Sequence, residues 1–207
     1  RTPDEIRPRL FEVDGIRFAH LSYTFSYNGL SLPDGEEWRS AVIDPLRVIA
    51  DERDARALGA DVVLLSLHWG AEGVHEPTTE QRRLAELLTT AGRFDLIVGH
   101  HAHVVQPIEQ INGTWVMFGL GNILSNLPTS NNWPDASQDA AIVTVGVTVG
   151  EGGAITVDRP AAYPTWVDKE AGFVIRMVDD QLARPDLTPA RRAALEASRG
   201  RTARIIA

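Results

Sequence analysis

Three histidines follow two strongly apolar runs, in Ser66-Leu67-His68-Trp69-Gly70 and in Gly99-His100-His101-Ala102-His103. Neutral imidazole is the commonest side-chain metal ligand. In extended backbone a spacing of two puts His101 and His103 on one face, with His100 opposite. Together with His68 they can hold one zinc and leave a fourth position to water. The competing reading is three satisfied histidines at a polar sheet edge, although Gly70 and Gly99 beside them would let backbone approach a ligand closely. A two-metal site needs more donors, usually a bridging carboxylate. Asp61 and Asp95 cannot bridge, because they open their strands at the far end of the sheet.

Glu72 lies four residues after His68. It is either an acid/base or substrate contact at the crevice, or a solvated loop glutamate. Asn122, in Gly119-Leu120-Gly121-Asn122, either contacts substrate or water there or caps its own turn. His75 reads as a bystander, His100 as a packing or hydrogen-bonding residue behind the site, and His20 as a half-buried or edge residue.

These side chains need elements to aim them. Asp61 to Leu67 and Asp95 to Val98 read as buried parallel strands. In open α/β sheets, ligands bind just past the carboxyl ends of such strands. Asp44-Pro45 predicts a helix start, with Leu46, Ile49, Ala50, Arg53 and Ala57 at helical spacing. Thr78 to Gln81 is a capping box before Leu84, Leu87, Leu88 and Ala91, an amphipathic stripe. The middle of the chain therefore reads helix, strand, helix, strand, which is an α/β unit with a parallel sheet.

Gly15 to Thr24 alternates like a strand. From Val104 onward strands dominate: Val104 to Ile111 and Thr114 to Leu120 around an Asn112-Gly113 hairpin turn, then Ala140 to Val149 with Ala154 to Val157, then Phe173 to Val178. Thr188-Pro189 opens a terminal helix. The polar stretch Asn126 to Gln138 reads as a mobile surface loop. Residues 1–180 form one domain on this reading, and 181–207 a C-terminal helix and tail.

The 207 residues are enough for one sizeable core. A net charge of −8 without a basic stripe argues against nucleic-acid binding, and the basic stretch Arg191 to Arg204 reads as a solvated helix. The absence of cysteine excludes disulfides, thiolate metal sites and cysteine nucleophiles. The chain opens Arg1-Thr2-Pro3-Asp4-Glu5, which predicts a natural start upstream, together with any targeting segment.

The ordered motifs His68-Trp69-Gly70-x-Glu72, then Pro77, Gln81 and Ala85, then Asp95-x-Ile97-x-Gly99-His100-His101-x-His103-Val104-x-Gln106-Pro107-Ile108-Glu109, then Leu120-Gly121-Asn122, resemble the CapA-type capsule-synthesis proteins. That family is associated with synthesis and export of poly-γ-glutamate and belongs to the calcineurin-like metallophosphoesterases. The resemblance covers about residues 5 to 180.

It implies an αββα sandwich, of which this chain is the C-terminal half, with a dinuclear site of divalent Mn, Fe or Zn at the strand ends. By the same resemblance His68 and His101 face the second metal and His103 the first, while His100 stands where relatives often have glycine. The family's early motifs, an aspartate turn, a second aspartate and an Asn-His pair, are not found here. The site is then dinuclear only with the missing N-terminal part present, and sheet edges are left uncovered.

The activity implied is metal-dependent hydrolysis of a phosphoester. The alternative is a non-catalytic accessory role in assembly or export of an anionic envelope polymer, and a third reading is a folded fragment with an inert site. The implied partners are the polymer or phosphoester and membrane-bound polymer synthesis proteins. The implied location of the parent protein is the cell surface or extracytoplasmic space.

Overall fold

The computed structural model describes residues 8–127 and 133–206. A hairpin of β1 (Arg9–Val13) and β2 (Ile16–Thr24) begins the main sheet. β2 runs parallel to β3 (Val62–His68), and β3 to β4 (Leu96–His100). β4 runs parallel to β6 (Thr114–Met117), whose antiparallel partner β5 (Ile108–Ile111) completes the order β1-β2-β3-β4-β6-β5. Both flanks of the parallel core are thus occupied by antiparallel strands, although every residue of β1 is exposed.

Helices α1 (Pro45–Ala57) and α2 (Thr79–Ala91) connect the parallel strands and share one apolar core with them. The alternation of β-strand side chains sends Leu21, Tyr23, Val63, Leu65, Leu67 and Ile97 to that core, where Val48, Ile49, Leu84 and Leu88 meet them. Asp44 caps α1 by accepting from the Leu46 amide at 3.0 Å, with Pro45 in the first turn. Thr78 and Gln81 form the expected capping box on α2.

The buried stripe of α1 differs from the expected one. It is Val48, Ile49, Glu52 and Ala55, and Leu46 is exposed. Arg56 accounts for the rotation: it bonds Glu52, the Asp61 and Arg93 carbonyls and Asp95, and so pins this face of the helix over the strand starts. Asp61 and Asp95 are therefore structural, as their position at the far end of the strands predicted.

The other face of the sheet carries Phe18, Val62, Leu64 and Leu96. With Val145, Val147 and Val157 they line an apolar cavity of about 400 Å³. Those valines flank or belong to a small hairpin, β8 (Val147–Val149) and β9 (Ile155–Val157). A second sheet has the order β11-β10-β7, from β7 (Asp139–Thr144), β10 (Ala161–Asp168) and β11 (Val174–Met177). The expected single strand Ala140 to Val149 is thus two strands in different sheets. β10 has no counterpart in the sequence expectation; it contains Pro164, a residue unusual in a central strand, yet it pairs on both sides.

Helices α3 (Val178–Leu182) and α4 (Pro189–Ile206) follow. The basic stretch on α4 is not simply solvated. Leu195, Ser198 and Thr202 are buried, and Arg191 and Arg201 pair with the buried Asp168 and Asp139. Of the polar stretch expected as a mobile loop, residues 128–132 lie outside the described residues, and Asp135–Gln138 is a 3-10 turn with Ala136 and Ser137 buried. Among the described residues no helix is long and apolar enough to cross a membrane.

Candidate metal centre

In-register pairing places Thr24, His68 and His100 side by side at the carboxyl ends of β2, β3 and β4. Three backbone hydrogen bonds lash the following segments together. Phe25 N–H donates to the His68 carbonyl at 2.9 Å, Trp69 N–H to the His100 carbonyl at 3.2 Å, and Gly73 N–H to the Ala102 carbonyl at 2.8 Å. The last of these brings the Glu72 loop against the His101–His103 turn.

His101 and His103 do not continue the strand, as the two-residue spacing suggested. β4 stops at His100, and the two residues have φ of 94° and 57°. Non-glycine residues pay steric strain in that region, and such strain concentrates at functional sites. The turn still converges the rings: His68 and His101 centroids are 4.5 Å apart, and those of His101 and His103 are 6.1 Å apart.

The hydrogen-bond partners fix two tautomers. Asn122 donates its amide to the His103 and Ser137 carbonyls, both at 3.1 Å. Its Oδ1 must then accept, so His103 carries its proton on Nδ1, 2.8 Å away, and leaves Nε2 with a free lone pair. Likewise Thr24 donates its hydroxyl to the Ser26 carbonyl at 2.6 Å and accepts from His68 Nδ1 at 2.9 Å, leaving His68 Nε2 free. Asn122 is thus a positioning residue for His103, with its whole amide engaged. Such outer partners orient ligating imidazoles in metal sites.

Glu72 Oε1 stands 3.9 Å from His101 Nδ1 and 3.9 Å from His103 Nε2. Among the described residues, Glu72, His101 and His103 form a group of donors whose atoms all lie within 4.8 Å of one another. His68 is not in that group, though its ring packs on His101. Only 7% of the His101 side chain is exposed, and its Nδ1 is buried with no hydrogen-bond partner among the described residues. A buried unpaired nitrogen is costly, and two imidazoles with a carboxylate are suitable donors for a divalent ion, so this set fits a metal.

The surroundings of His68 and His101 favour the neutral ring, the form that ligation requires. Burial pushes the pKa of both His68 and His101 below the ordinary imidazole value. The neighbouring histidines add to this, and Glu72 opposes it.

The remaining predicted residues are placed apart. His75 bonds the Val105 carbonyl through Nδ1 at 2.7 Å, and His20 Nε2 lies 2.8 Å from the Ser66 hydroxyl. His100 ends β4 beside His68 and is exposed.

Gly99 and Gly70 serve packing and not ligand approach. A side chain at Gly99 would overlap the Phe118 carbonyl and the Trp69 indole, which bond each other at 3.0 Å, and one at Gly70 (φ 94°) would overlap Gln81. Gln81 donates to Gln106 at 2.9 Å, and Gln106 donates to the Val74 carbonyl at 2.9 Å, so this buried amide chain anchors the loop that carries Glu72.

Sequence reading missed Thr24, which orients His68, and two aromatic walls. Phe25 packs on His101 at 4.9 Å, and Trp133 meets the His103 ring edge-on at 5.5 Å. Only strand register and loop closure bring these to the site. The nearest sequence signal was the strand ending at Thr24.

The family profile described as "Bacterial capsule synthesis protein PGA_cap" matches residues 1–127. The chain belongs to this family. Among its relatives is the PGA biosynthesis protein CapA of Bacillus subtilis (strain 168), 48% identical over 84 residues, which are 41% of this chain and 20% of that protein. Another is the capsule biosynthesis protein CapA of Bacillus anthracis, 32% identical over 134 residues, 63% of this chain and 31% of that protein.

This PGA_cap chain therefore spans between a fifth and a third of the length of these relatives. It also shows likeness to the calcineurin-like phosphoesterase YfkN of Bacillus subtilis, with a TM-score of 0.43 at 13% identity over 96% of this chain and 56% of that one. All the histidine and glutamate donors of the cluster fall within the segment that matches the PGA_cap profile.

Proposed function

We propose that this PGA_cap segment supplies the histidine-rich part of a metal-dependent, phosphoesterase-like hydrolase site in a protein of capsule or poly-γ-glutamate synthesis at the cell envelope. The observation that carries the reading is the buried, partnerless Nδ1 of His101, held beside Glu72 and His103 at the carboxyl end of a parallel sheet. His101 and His103 would hold the divalent ion, with His68 as the adjoining imidazole. When bound, such an ion lowers the pKa of water and offsets charge building on a phosphoryl oxygen.

The chain's own residues do the rest. Asn122 holds His103 in the tautomer that presents Nε2, and Thr24 does the same for His68. Phe25 and Trp133 shield the imidazoles from solvent on two sides. Glu72, 45% exposed, is the one acidic group in the donor cluster.

The test uses the complete natural protein loaded with manganese, iron or zinc and an aryl phosphate ester. Metal-dependent hydrolysis that a His68→Ala/His101→Ala double variant loses is the expected result. A folded, metal-loaded protein without hydrolysis overturns the hydrolase reading. If polymer production by cells carrying that double variant is also normal, the metal site has no part in synthesis.

A further inference from the structure

The proposed site must also hold the rest of its substrate. We infer that a pocket beside the imidazoles, walled by Phe25, Ile43, Trp69 and Leu84, takes the uncharged apolar group of a phosphoester, up to about the size of a naphthyl ring, and so sets which esters the site prefers. This rests on the hydrolase reading above and adds a substrate class to it.

Four observations carry it. First, the pocket is roomy. Its volume is about 250 Å³, against roughly 150 Å³ for an apolar cavity that takes up benzene. Second, it adjoins the imidazoles. Phe25 lines it and packs on His101 at 4.9 Å and on His68 at 5.7 Å. Phe25 is still 43% exposed, so its ring has apolar surface left to cover. Trp69 directly follows His68. Ile43 N–H donates to the Thr24 carbonyl at 2.8 Å, so the residue whose hydroxyl orients His68 also holds a wall of the pocket.

Third, the buried polar groups around the pocket bond to the protein itself. The Trp69 indole donates to the Phe118 carbonyl at 3.0 Å. The Gln81 side chain accepts from the Thr78 amide at 2.9 Å and donates to Gln106 at 2.9 Å, and the Thr78 hydroxyl accepts from the Gln81 amide at 3.1 Å. Fourth, none of the described residues that line the pocket is basic. Glu80 is the one charged residue among them, and Arg83 donates to both of its carboxylate oxygens, at 3.1 and 2.7 Å. A carboxylate entering here would lose its water with no cation to replace it, whereas a neutral apolar group gains by burial.

The reaction then needs nothing beyond water. The phosphorus–oxygen bond to the apolar group breaks. Water gives its hydroxyl to phosphorus and its proton to the departing oxygen, and the neutral alcohol is left in the pocket.

Binding is tested first on the purified 207-residue chain without metal, with 2-naphthol as the neutral probe and glutarate as the dianionic one. Methyl NMR should show saturable shifts at Ile43 and Leu84 with 2-naphthol and none with glutarate. Ile43→Trp, which fills the pocket, should weaken 2-naphthol by more than about 10-fold. If that variant loses its fold, the wild-type methyl shifts decide without it. No shift at these methyls with 2-naphthol, or an equal one with glutarate, overturns the assignment.

Hydrolysis gives the second readout. In the complete, metal-loaded protein, kcat/KM for 2-(2-naphthyl)ethyl phosphate should exceed that for ethyl phosphate by about 100-fold. The two alcohols leave about equally well, so the ratio reads the pocket and not the chemistry. Equal hydrolysis of the two esters overturns the pocket's role and keeps the hydrolase reading. A protein that binds 2-naphthol at these methyls but hydrolyses neither ester overturns the hydrolase reading, and with it the ester, and leaves a site for a neutral apolar ligand.

Discussion

Two polar clusters in this molecule each include a buried ionisable side chain, and they are finished to different degrees. Under α4, Asp139 is 2% exposed and receives two hydrogen bonds from Arg201, at 2.6 and 3.0 Å. Asp168 is fully buried and receives Arg176, Arg191 and the Ala171 amide. Every charge there has a counter-charge, and what is left over are neutral hydroxyls of Ser137, Ser198 and Thr202.

At the strand ends the polar inventory is reversed. Two imidazoles stand beside one carboxylate with a third ring packed on His101, a buried nitrogen has no partner, and two histidines sit at positive φ. A cluster whose charges are paired holds helix to sheet. The second cluster keeps an unpartnered buried nitrogen and two histidines at positive φ, and it is on these features that the metal proposal rests.

That contrast can be broken in graded steps. The largest effect belongs to the finished cluster. Arg201→Ala strands the Asp139 carboxylate and should cost about 3–5 kcal/mol of folding stability by urea unfolding, while zinc affinity at saturating folded protein stays near wild type. Equal loss of zinc binding would show that the two clusters are not independent.

Next comes Asn122→Ala, which releases the His103 tautomer. Zinc affinity should fall about 10–100-fold by calorimetry, and an unchanged affinity would show that the ring orients without this amide.

The smallest effect is in pH. Because burial holds the pKa of His68 and His101 below the ordinary value, the folded state resists protonation that the unfolded chain accepts. The contribution of these two rings to the stability of the metal-free chain is therefore fully present above about pH 6.5 and is lost as pH falls below it. Zinc uptake should follow the same sign. A stability profile that rises on acidification across that window would contradict neutral, buried rings.

Much of the scaffold was legible in the chain because its signals are local. Asp44-Pro45 caps one helix, Thr78 with Gln81 caps the next, and Asn112-Gly113 turns the β5–β6 hairpin. The apolar runs ending at His68 and His100 are the central parallel strands.

Where longer-range contacts decide, local pattern misled. Leu46 matches the helical spacing but is exposed, since Arg56 sets the rotation of α1 from residues 37 and 39 positions away. β10 is fixed by strands on both sides, although Pro164 lies within it. The glycines beside the histidines read as room for a ligand, but at Gly99 the room is taken by the Phe118 carbonyl and Trp69.

By itself the sequence determined which residue types reach the end of the sheet: a strand's period and its terminating glycine put His68 and the His100–His103 stretch there, and the family motifs run in matching order. Only tertiary structure decided which atoms meet. A hydrogen bond from Gly73 to Ala102 brings Glu72 to the rings, strand register gives His68 its Thr24, and a loop from residue 122 fixes the His103 proton. The reason is physical. Side-chain periodicity is a property of a few consecutive residues, whereas the direction of a lone pair depends on partners that chain closure alone brings within 3 Å.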